Sequence, residues 1–213
     1  MTPQFAKAVD PVFMHVLGLL DRIGRDESPS PQDERMHVRG WIDQAEAVLG
    51  QAPDWELAKH ALVYWIDEVL INAPWEGRNW WSENPLEVEL FNSRLANEQF
   101  YHKAREAGTL TRKDALEVFY VCAVLGFRGL YRDPMAAAML APARGLPTDL
   151  ESWAKQTSLS IRVGARPPIQ ATGQLGPSAP PLEGQSLLVA SSMATAVLGA
   201  LTLIAGAWYF GWF

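Results

Sequence analysis

The chain has 213 residues, of which 48% are hydrophobic and 20% charged, and its formal net charge is −6. A nucleic-acid-binding surface needs clustered Lys and Arg, and the sequence shows no such cluster, so this class is excluded. The single cysteine, Cys122, excludes an intrachain disulfide framework and is typical of a reducing compartment.

Two helices are predicted at the start of the chain. Apolar residues recur at helical spacing over Phe5–Leu20, which predicts an amphipathic helix. The polar stretch Arg25–Pro31 ends it, and a second helix is expected over about Gln32–Leu49, with Met36 on its inward face. Gly50 fits the C-cap of the second helix, because glycine tolerates the left-handed backbone that ends many helices.

The third predicted helix, Trp55–Ala73, is apolar nearly all round, and Asp54 can serve as its N-cap. A helix of this kind is mostly buried. It nevertheless contains two adjacent carboxylates, Asp67 and Glu68. The residues three and four positions away from them include no basic side chain. Because burying an unpaired charge is strongly unfavourable, the rest of the fold must compensate these carboxylates or expose one of them.

Three interpretations of the acidic pair are open at this point. The carboxylates are structural and satisfied by backbone groups or a distant Arg, or they line an acidic cleft that docks a partner. General acid–base catalysis is the least favoured interpretation. Adjacent side chains diverge by about 100° on a helix, so Asp67 and Glu68 are unable to flank one bond.

The stretch Pro74–Pro85 is predicted to be a loop with an unusual content of tryptophan. Its three indoles either pack over the domain as a lid or contact a partner, since aromatic residues are enriched at binding hot spots. The candidate partner-binding cleft therefore comprises Asp67, Glu68, Trp75, Trp80 and Trp81.

Helices also account for the rest of the predicted domain. Two short ones are expected over Leu86–Leu95 and Asn97–Ala107, and Thr111 with Asp114 predicts a capping box at the start of the next. Further helices are expected over Met135–Leu140 and from Thr148 to about Ser160. No alternation of period two is long enough for a sheet. The predicted fold class is all-α, a bundle of about seven or eight helices.

The composition changes after residue 163. Residues 164–185 are rich in Pro and Gly and are expected to form a linker. Residues 184–213 contain no charged residue and no His, and residues 187–208 exceed the ~20 apolar residues that span a bilayer. The predicted domains are thus a cytoplasmic helical domain at 1–163, the linker, and a transmembrane helix at 186–213. Arg162 and Arg166 precede this segment. Positively charged residues favour the cytoplasmic side of a membrane helix, so the N-terminal domain is expected in the cytoplasm.

Small residues recur within this transmembrane segment at spacings of three and four: Ser192, Thr195, Gly199, Thr202 and Gly206. One helical seam of small residues lets two backbones approach, which predicts a homodimer through the membrane helix. The alternative is a chance alignment, because small residues are common in membrane helices.

Catalytic and cofactor motifs are absent from the sequence: it contains no GxGxxG, Walker A, GxSxG, HExxH or CxxC. Asp33 with His37, and Glu56 with His60, have the i, i+4 spacing of a metal-binding pair. A metal site needs three or four convergent ligands, however. We therefore predict no enzymatic activity, no cofactor and no metal site.

An ordered set of motifs surrounds the acidic pair. The helix with Asp67 and Glu68 precedes the three Trp residues, then Leu90-Phe91, the block Glu98–Tyr101 and the block Leu116–Arg132. This set resembles the DotU/TssL (IcmH-like) family of type VI and type IVB secretion systems. The last block is the most specific, because its Leu-Gly-aromatic-x-Gly-x-Tyr-Arg ending is unusual. The resemblance covers about Phe5–Arg132 and the C-terminal membrane segment.

This resemblance implies a structural subunit of a secretion membrane complex with a hook-like helical domain. It implies an IcmF/TssM-like inner-membrane partner, a TssK-like cytoplasmic baseplate partner and dimerisation through the membrane helix. It also implies a single-pass protein of the bacterial inner membrane with its N-terminal domain in the cytoplasm. The alternative function is a tail-anchored enzyme or adaptor unrelated to secretion.

We further expect Arg128 or Arg132 to neutralise the acidic pair, because a guanidinium can satisfy a carboxylate bidentately.

Overall fold

The structure is a computed structural model that describes residues 1–164 and 191–202. The chain divides into two units, Met1–Arg166 and Pro167–Phe213, and each is described by itself. Most of the predicted linker lies outside the described residues. So do residues 186–190 and 203–213 of the predicted transmembrane helix, including Gly206.

The first unit is built from helices, and residues 1–164 contain no strand. In chain order its elements are α1 (Pro3–Gly24), α2 (Pro31–Leu49), α3 (Pro53–Asn72), α4 (Arg78–Glu83), α5 (Leu86–Phe91), α6 (Ala96–Thr109), α7 (Asp114–Val124), a 3-10 turn (Gly129–Arg132), α8 (Pro134–Ala143) and α9 (Leu150–Gly164). The all-α prediction is confirmed. The prediction of a loop throughout residues 74–85 is wrong, because α4 forms within it.

Helices α1 and α2 pack against each other at one side of the unit. Gly50 ends α2 with a φ of 67°, as its position in the sequence predicted. The inward assignment of Met36 is wrong, since this residue is 66% exposed. The buried stripe of α2 passes through Glu34 and Val38, and Met36 lies midway between them on the opposite side of the helix.

Helix α3 lies at the centre of the unit and contacts α1, α2, α4, α5, α6 and α7. It begins at Pro53 rather than after an Asp54 cap, because proline is well suited to the first helical position. Ala52 therefore occupies the N-cap, and Asp54 lies in the first turn. Asp67 and Glu68 are 5% and 8% exposed, so the sequence correctly placed both carboxylates in a buried helix.

Aromatic side chains form the core between α6, α7 and α9. The Phe100 and Phe127 rings stack with centroids 3.8 Å apart, and Trp153 of α9 meets the Tyr101 ring edge-on at 5.1 Å. Aromatic pairs of this geometry contribute beyond their buried area. This core fixes the segment after α7, which contains Arg128 and the 3-10 turn.

The start of α7 differs from the predicted capping box. Lys113, not Thr111, occupies the N-cap position and makes no side-chain cap hydrogen bond. The Asp114 carboxylate accepts hydrogen bonds from the Thr2 backbone N–H at 2.6 Å and from the Arg112 guanidinium. Asp114 therefore connects the start of the chain to α7 instead of completing a local motif.

Residues 191–202 of the second unit are helical, and the side chains there are exposed. Among the residues that the structure describes, none of the helices combines the length and apolar character needed to cross a membrane.

Candidate functional site

Asp67 holds the first turn of α5. Its Oδ1 accepts hydrogen bonds from the Leu86 backbone N–H and the Trp81 indole N–H, each at 2.9 Å, and its Oδ2 accepts from the Glu87 N–H at 2.8 Å. A helix leaves its first N–H groups unpaired, and α5 has no side-chain cap of its own. Asp67 supplies that cap from α3, across about twenty residues of sequence.

Burial nevertheless dominates the ionisation of Asp67. Removal from water raises the pKa of Asp67 to about 6, against the opposing effect of the hydrogen bonds from Glu87, Leu86 and Trp81. The carboxylate is therefore mostly ionised at pH 7, and its ionisation falls within the mildly acidic range.

Glu68 holds a different segment, because it lies about 100° around α3 from Asp67. Its carboxylate accepts hydrogen bonds from the backbone N–H of Arg128 at 2.8 Å and of Gly129 at 3.1 Å. Gly129 has a φ of 49°, and a Cβ there would lie 2.7 Å from the Phe127 ring. Glycine is thus required at the turn whose N–H groups Glu68 binds.

The two predicted Arg partners behave differently. The Arg132 guanidinium lies 3.0 Å from the Glu68 carboxylate and also donates to the Asn72 side chain at 3.0 Å. The Arg128 guanidinium instead donates to the backbone carbonyls of Ala123 and Phe127. Arg128 therefore reaches the acidic pair through its backbone N–H, which the search for a basic side chain did not predict.

The Trp-rich segment packs against the unit. Trp81 is fully buried and bonded to Asp67, so it is a core residue rather than a surface one. The Trp75 indole N–H donates to the Leu70 carbonyl at 2.9 Å, and its ring covers Gly77, where a Cβ would lie 2.5 Å from it. Trp80 is half-buried, with the Arg35 guanidinium 6.0 Å from its ring centroid. These contacts agree with the packing interpretation that the sequence left open.

An open groove of about 340 Å³ runs beside the acidic pair, between α3, α5, α6 and the 3-10 turn. Its lining consists of Tyr64, Asp67, Glu68, Ile71, Asn72, Ser82, Pro85, Glu87, Arg94, Ala96, Asn97, Gly129 and Arg132. The structure brings both predicted carboxylates and Arg132 into this groove. Trp75, Trp80, Trp81 and Arg128 are not among its lining residues.

The charged residues that line the groove differ in their exposure to solvent. The three carboxylates that line the groove all accept hydrogen bonds from within the fold. Asp67 and Glu68 bind the backbone N–H groups described above, and Glu87 accepts a hydrogen bond from the Leu95 N–H at 2.6 Å. Arg94 is exposed, and the Arg132 side chain is 53% exposed. Sequence reasoning missed Arg94 and Glu87, because short helices on an unpredicted path bring them to the groove.

The predicted dimer seam is partly described. Ser192, Thr195, Gly199 and Thr202 lie on one continuous helix, and a Cβ at Gly199 would meet no neighbouring atom within 4 Å. The Thr195 and Thr202 hydroxyls donate to the carbonyls of Ser191 and Gly199 of the same helix. Their oxygen lone pairs still leave an acceptor for a second helix.

Comparisons with known proteins agree with this geometry. The cytoplasmic domain of TssL from Acinetobacter baumannii superposes with a TM-score of 0.59 and 24% identity, covering 76% of this chain and 98% of that domain. At this identity the likeness establishes the fold. Comparison with curated proteins gives no match. The sequence model of the family described as type VI secretion system protein DotU matches residues 4–213.

That match covers nearly the whole chain, and it concerns structural components of a secretion system rather than enzymes. The prediction of a non-enzymatic protein and the predicted resemblance are confirmed. The alternative of a tail-anchored enzyme is set aside. The chain belongs to the DotU family of type VI secretion system proteins.

Proposed function

We propose that this protein is a structural subunit of the type VI membrane complex that links an IcmF/TssM-like inner-membrane partner to the cytoplasmic baseplate. The family match supports a place in the membrane complex. The similarity of residues in the first unit to a cytoplasmic TssL domain supports placing residues 1–163 in the cytoplasm. Residues 164–185 would serve as the linker and residues 186–213 as the single inner-membrane helix.

The observation that carries the proposal is the groove beside α3. The carboxylates of Asp67 and Glu68 build its floor, by fixing α5 and the 3-10 turn. Its exposed charged side chains are Arg94 and Arg132, and Arg132 is already paired with Glu68, so a partner segment with an acidic side chain opposite Arg94 fits it best. We assign this groove to the TssK-like baseplate subunit.

The Trp residues have a supporting role in this assignment. Trp81 fixes Asp67, and Trp75 closes the segment over Gly77. Trp75 and Trp80 are both half-buried, and neither lines the groove. In this assignment Asp67, Glu68 and Trp81 position the surface that Arg94 and Arg132 present.

Co-purification tests the proposed function. The full chain would be expressed with the IcmF/TssM-like and TssK-like subunits of its own locus and captured by a tag. We expect both subunits to be recovered. Arg94→Glu should lower recovery of the TssK-like subunit by about tenfold or more, because like charges would face each other in the groove. Arg78→Glu, on the exposed surface of α4 outside the groove, is the matched control.

Recovery of neither subunit with the native chain would contradict the proposed function. Equal recovery with Arg94→Glu and Arg78→Glu would leave the function in place and contradict the assignment of the groove.

We also propose that two copies associate through the membrane helix. The small residues at 192, 195, 199 and 202 support this seam, and Gly206 extends it in the sequence. A Gly199→Ile, Gly206→Ile double variant should abolish dimer crosslinking, because the larger side chains keep the backbones apart. Val197→Ala, with Leu201→Ala, changes the opposite side of the helix and is the control. An unchanged dimer signal in the double variant, with normal membrane insertion, would refute the seam.

A further inference from the structure

A compact group of potential metal ligands lies between α1 and α2, away from the groove. It consists of His15, Glu34 and His37, whose ligand atoms all lie within 4.8 Å of one another. Glu34 and His37 are three residues apart on α2 and therefore share a face of that helix. His15 reaches them from α1, which packs against α2.

His15 and Glu34 form a close pair across the two helices. The imidazole Nε2 lies 3.0 Å from the carboxylate Oε2, an ion-pair distance when the imidazole is protonated, and both atoms are buried without a well-aligned hydrogen bond. Buried polar atoms in proteins nearly always have a partner. Two atoms at this separation can both bind one metal ion placed against them, since ligand atoms on tetrahedral Zn²⁺ lie about 3.3 Å apart.

The other carboxylate oxygen of Glu34 is held in place. Its Oε1 accepts a hydrogen bond from the Arg22 guanidinium at 2.7 Å, and the residue is only 5% exposed. Hydrogen bonding of a ligand carboxylate by a neighbouring side chain is the usual support of a metal site. This arrangement leaves Oε2 as a single ligand oxygen directed at His15.

We propose that His15, Glu34 and His37 bind one divalent transition-metal ion of the Zn²⁺ type. Two imidazoles and one carboxylate are a known protein ligand set for Zn²⁺ with an open fourth position. Ligand atoms around tetrahedral Zn²⁺ lie about 3.3 Å apart, as its ~2.0–2.1 Å bonds require. The ligand atoms lie within 4.8 Å of one another, so ion binding would draw the exposed His37 side chain toward the buried pair.

The Glu34 charge is balanced within the fold, because the Arg22 guanidinium lies 2.7 Å from its Oε1. This site goes beyond the proposed secretion function and does not rest on it.

Sequence analysis missed the site because it paired His37 with Asp33, four residues away. The structure instead uses Glu34, three residues away, and takes the third ligand from the preceding helix. The signal in the sequence was the Glu-x-x-His spacing of Glu34 and His37 near the start of α2. The third residue of the group, His15, could be identified only from the packing of α1 against α2.

Cobalt titration of the full chain tests this proposal. The protein would be purified in detergent, treated with a chelator and titrated with Co²⁺ as a spectroscopic probe, followed by competition with Zn²⁺. We expect one equivalent of Co²⁺ per chain, visible absorption bands of a low-coordinate ion, and displacement by Zn²⁺. His37→Ala should weaken binding by more than about 100-fold, since even outer-sphere partners account for 10–100-fold.

Two further variants keep the result interpretable. Glu34→Gln retains the size of the side chain and should also weaken Co²⁺ binding. His102→Ala removes an exposed histidine of α6 that is outside the group and should leave binding unchanged. Circular dichroism would confirm that each variant is folded. Absence of Co²⁺ binding, or equal affinity in His37→Ala and His102→Ala, would overturn the proposal.

Discussion

Ionisation of Asp67 should lower the stability of the N-terminal unit as the pH rises. The pKa of Asp67 is about 6 in the folded state, against an ordinary value of 3.8. Between these two values the unfolded chain releases its proton while the folded chain retains it. The free energy of unfolding therefore decreases with increasing pH across this window.

The size of this effect follows from the shift. A difference of about two pKa units corresponds to about 3 kcal/mol, which is present below pH 4 and lost above pH 6. Replacement of Asp67 by Asn removes the titration but retains Oδ1 for Trp81 and Leu86. It also places an amide NH₂ against the Glu87 N–H, and an unsatisfied buried donor costs about 1–3 kcal/mol.

Urea denaturation of residues 1–164, followed by circular dichroism between pH 4 and pH 7.5, would measure the difference between native and variant. We expect Asp67→Asn to be clearly less stable than the native domain at pH 4. This difference should shrink or reverse by pH 7.5, because only the native domain then contains a buried charge at residue 67. Asp10→Asn, an exposed carboxylate on α1, is the control.

A stability difference that stays constant over this range would refute the reasoning. It would mean that the three hydrogen bonds compensate the burial of the Asp67 charge completely. A difference that grows with pH would show the opposite sign, with the ionised carboxylate as a net source of stability.

Three other predictions concern the same unit. Gly129→Ala should destabilise it by at least about 1 kcal/mol, because a Cβ at positive φ is strained and meets a ring, and an unchanged melting temperature would refute this. Burial lowers the pKa of His60 to about 4, so stability should fall as the pH falls from 6.5 toward 4, and His60→Gln should weaken this dependence. A Glu68–Arg132 double-mutant cycle should give a coupling of about 1 kcal/mol, because Arg132 is half exposed, and a coupling of zero would make the ion pair irrelevant to stability.

The helical class and the buried central helix could be predicted from the sequence, because both depend on local periodicity. Residues 55–73 contain no Gly or Pro and are apolar nearly all round, which is sufficient to place α3 in the core. The C-cap at Gly50 was equally accessible, since a glycine after an apolar helical stripe is a local signal.

The partners of the acidic pair could not be predicted in the same way. Asp67 and Glu68 bind backbone N–H groups of residues 86–87 and 128–129, and a backbone donor leaves no mark on composition or spacing. The search for a compensating charge therefore found Arg132 and overestimated Arg128. Likewise, α4 has only six residues and is held by its indoles against the core, a tertiary effect that overrides the local turn signals.

The group of His15, Glu34 and His37 could not be predicted from the sequence either. These potential ligands come from two helices, and their proximity follows only from the packing of α1 on α2. Motif spacing within one helix paired His37 with Asp33, whereas the proposed group contains Glu34.

Site-specific photocrosslinking tests the central claim, that the groove beside α3 receives a partner of the secretion complex, most directly. A photoreactive residue would be placed at Ser82 or Arg94 in the groove, or at the exposed control positions Lys7 and Gln44 on α1 and α2. In cells that carry the intact secretion locus, the account predicts a crosslink to the TssK-like subunit from both groove positions and from neither control. The same subunit crosslinked from Lys7 or Gln44, and from neither Ser82 nor Arg94, would contradict it.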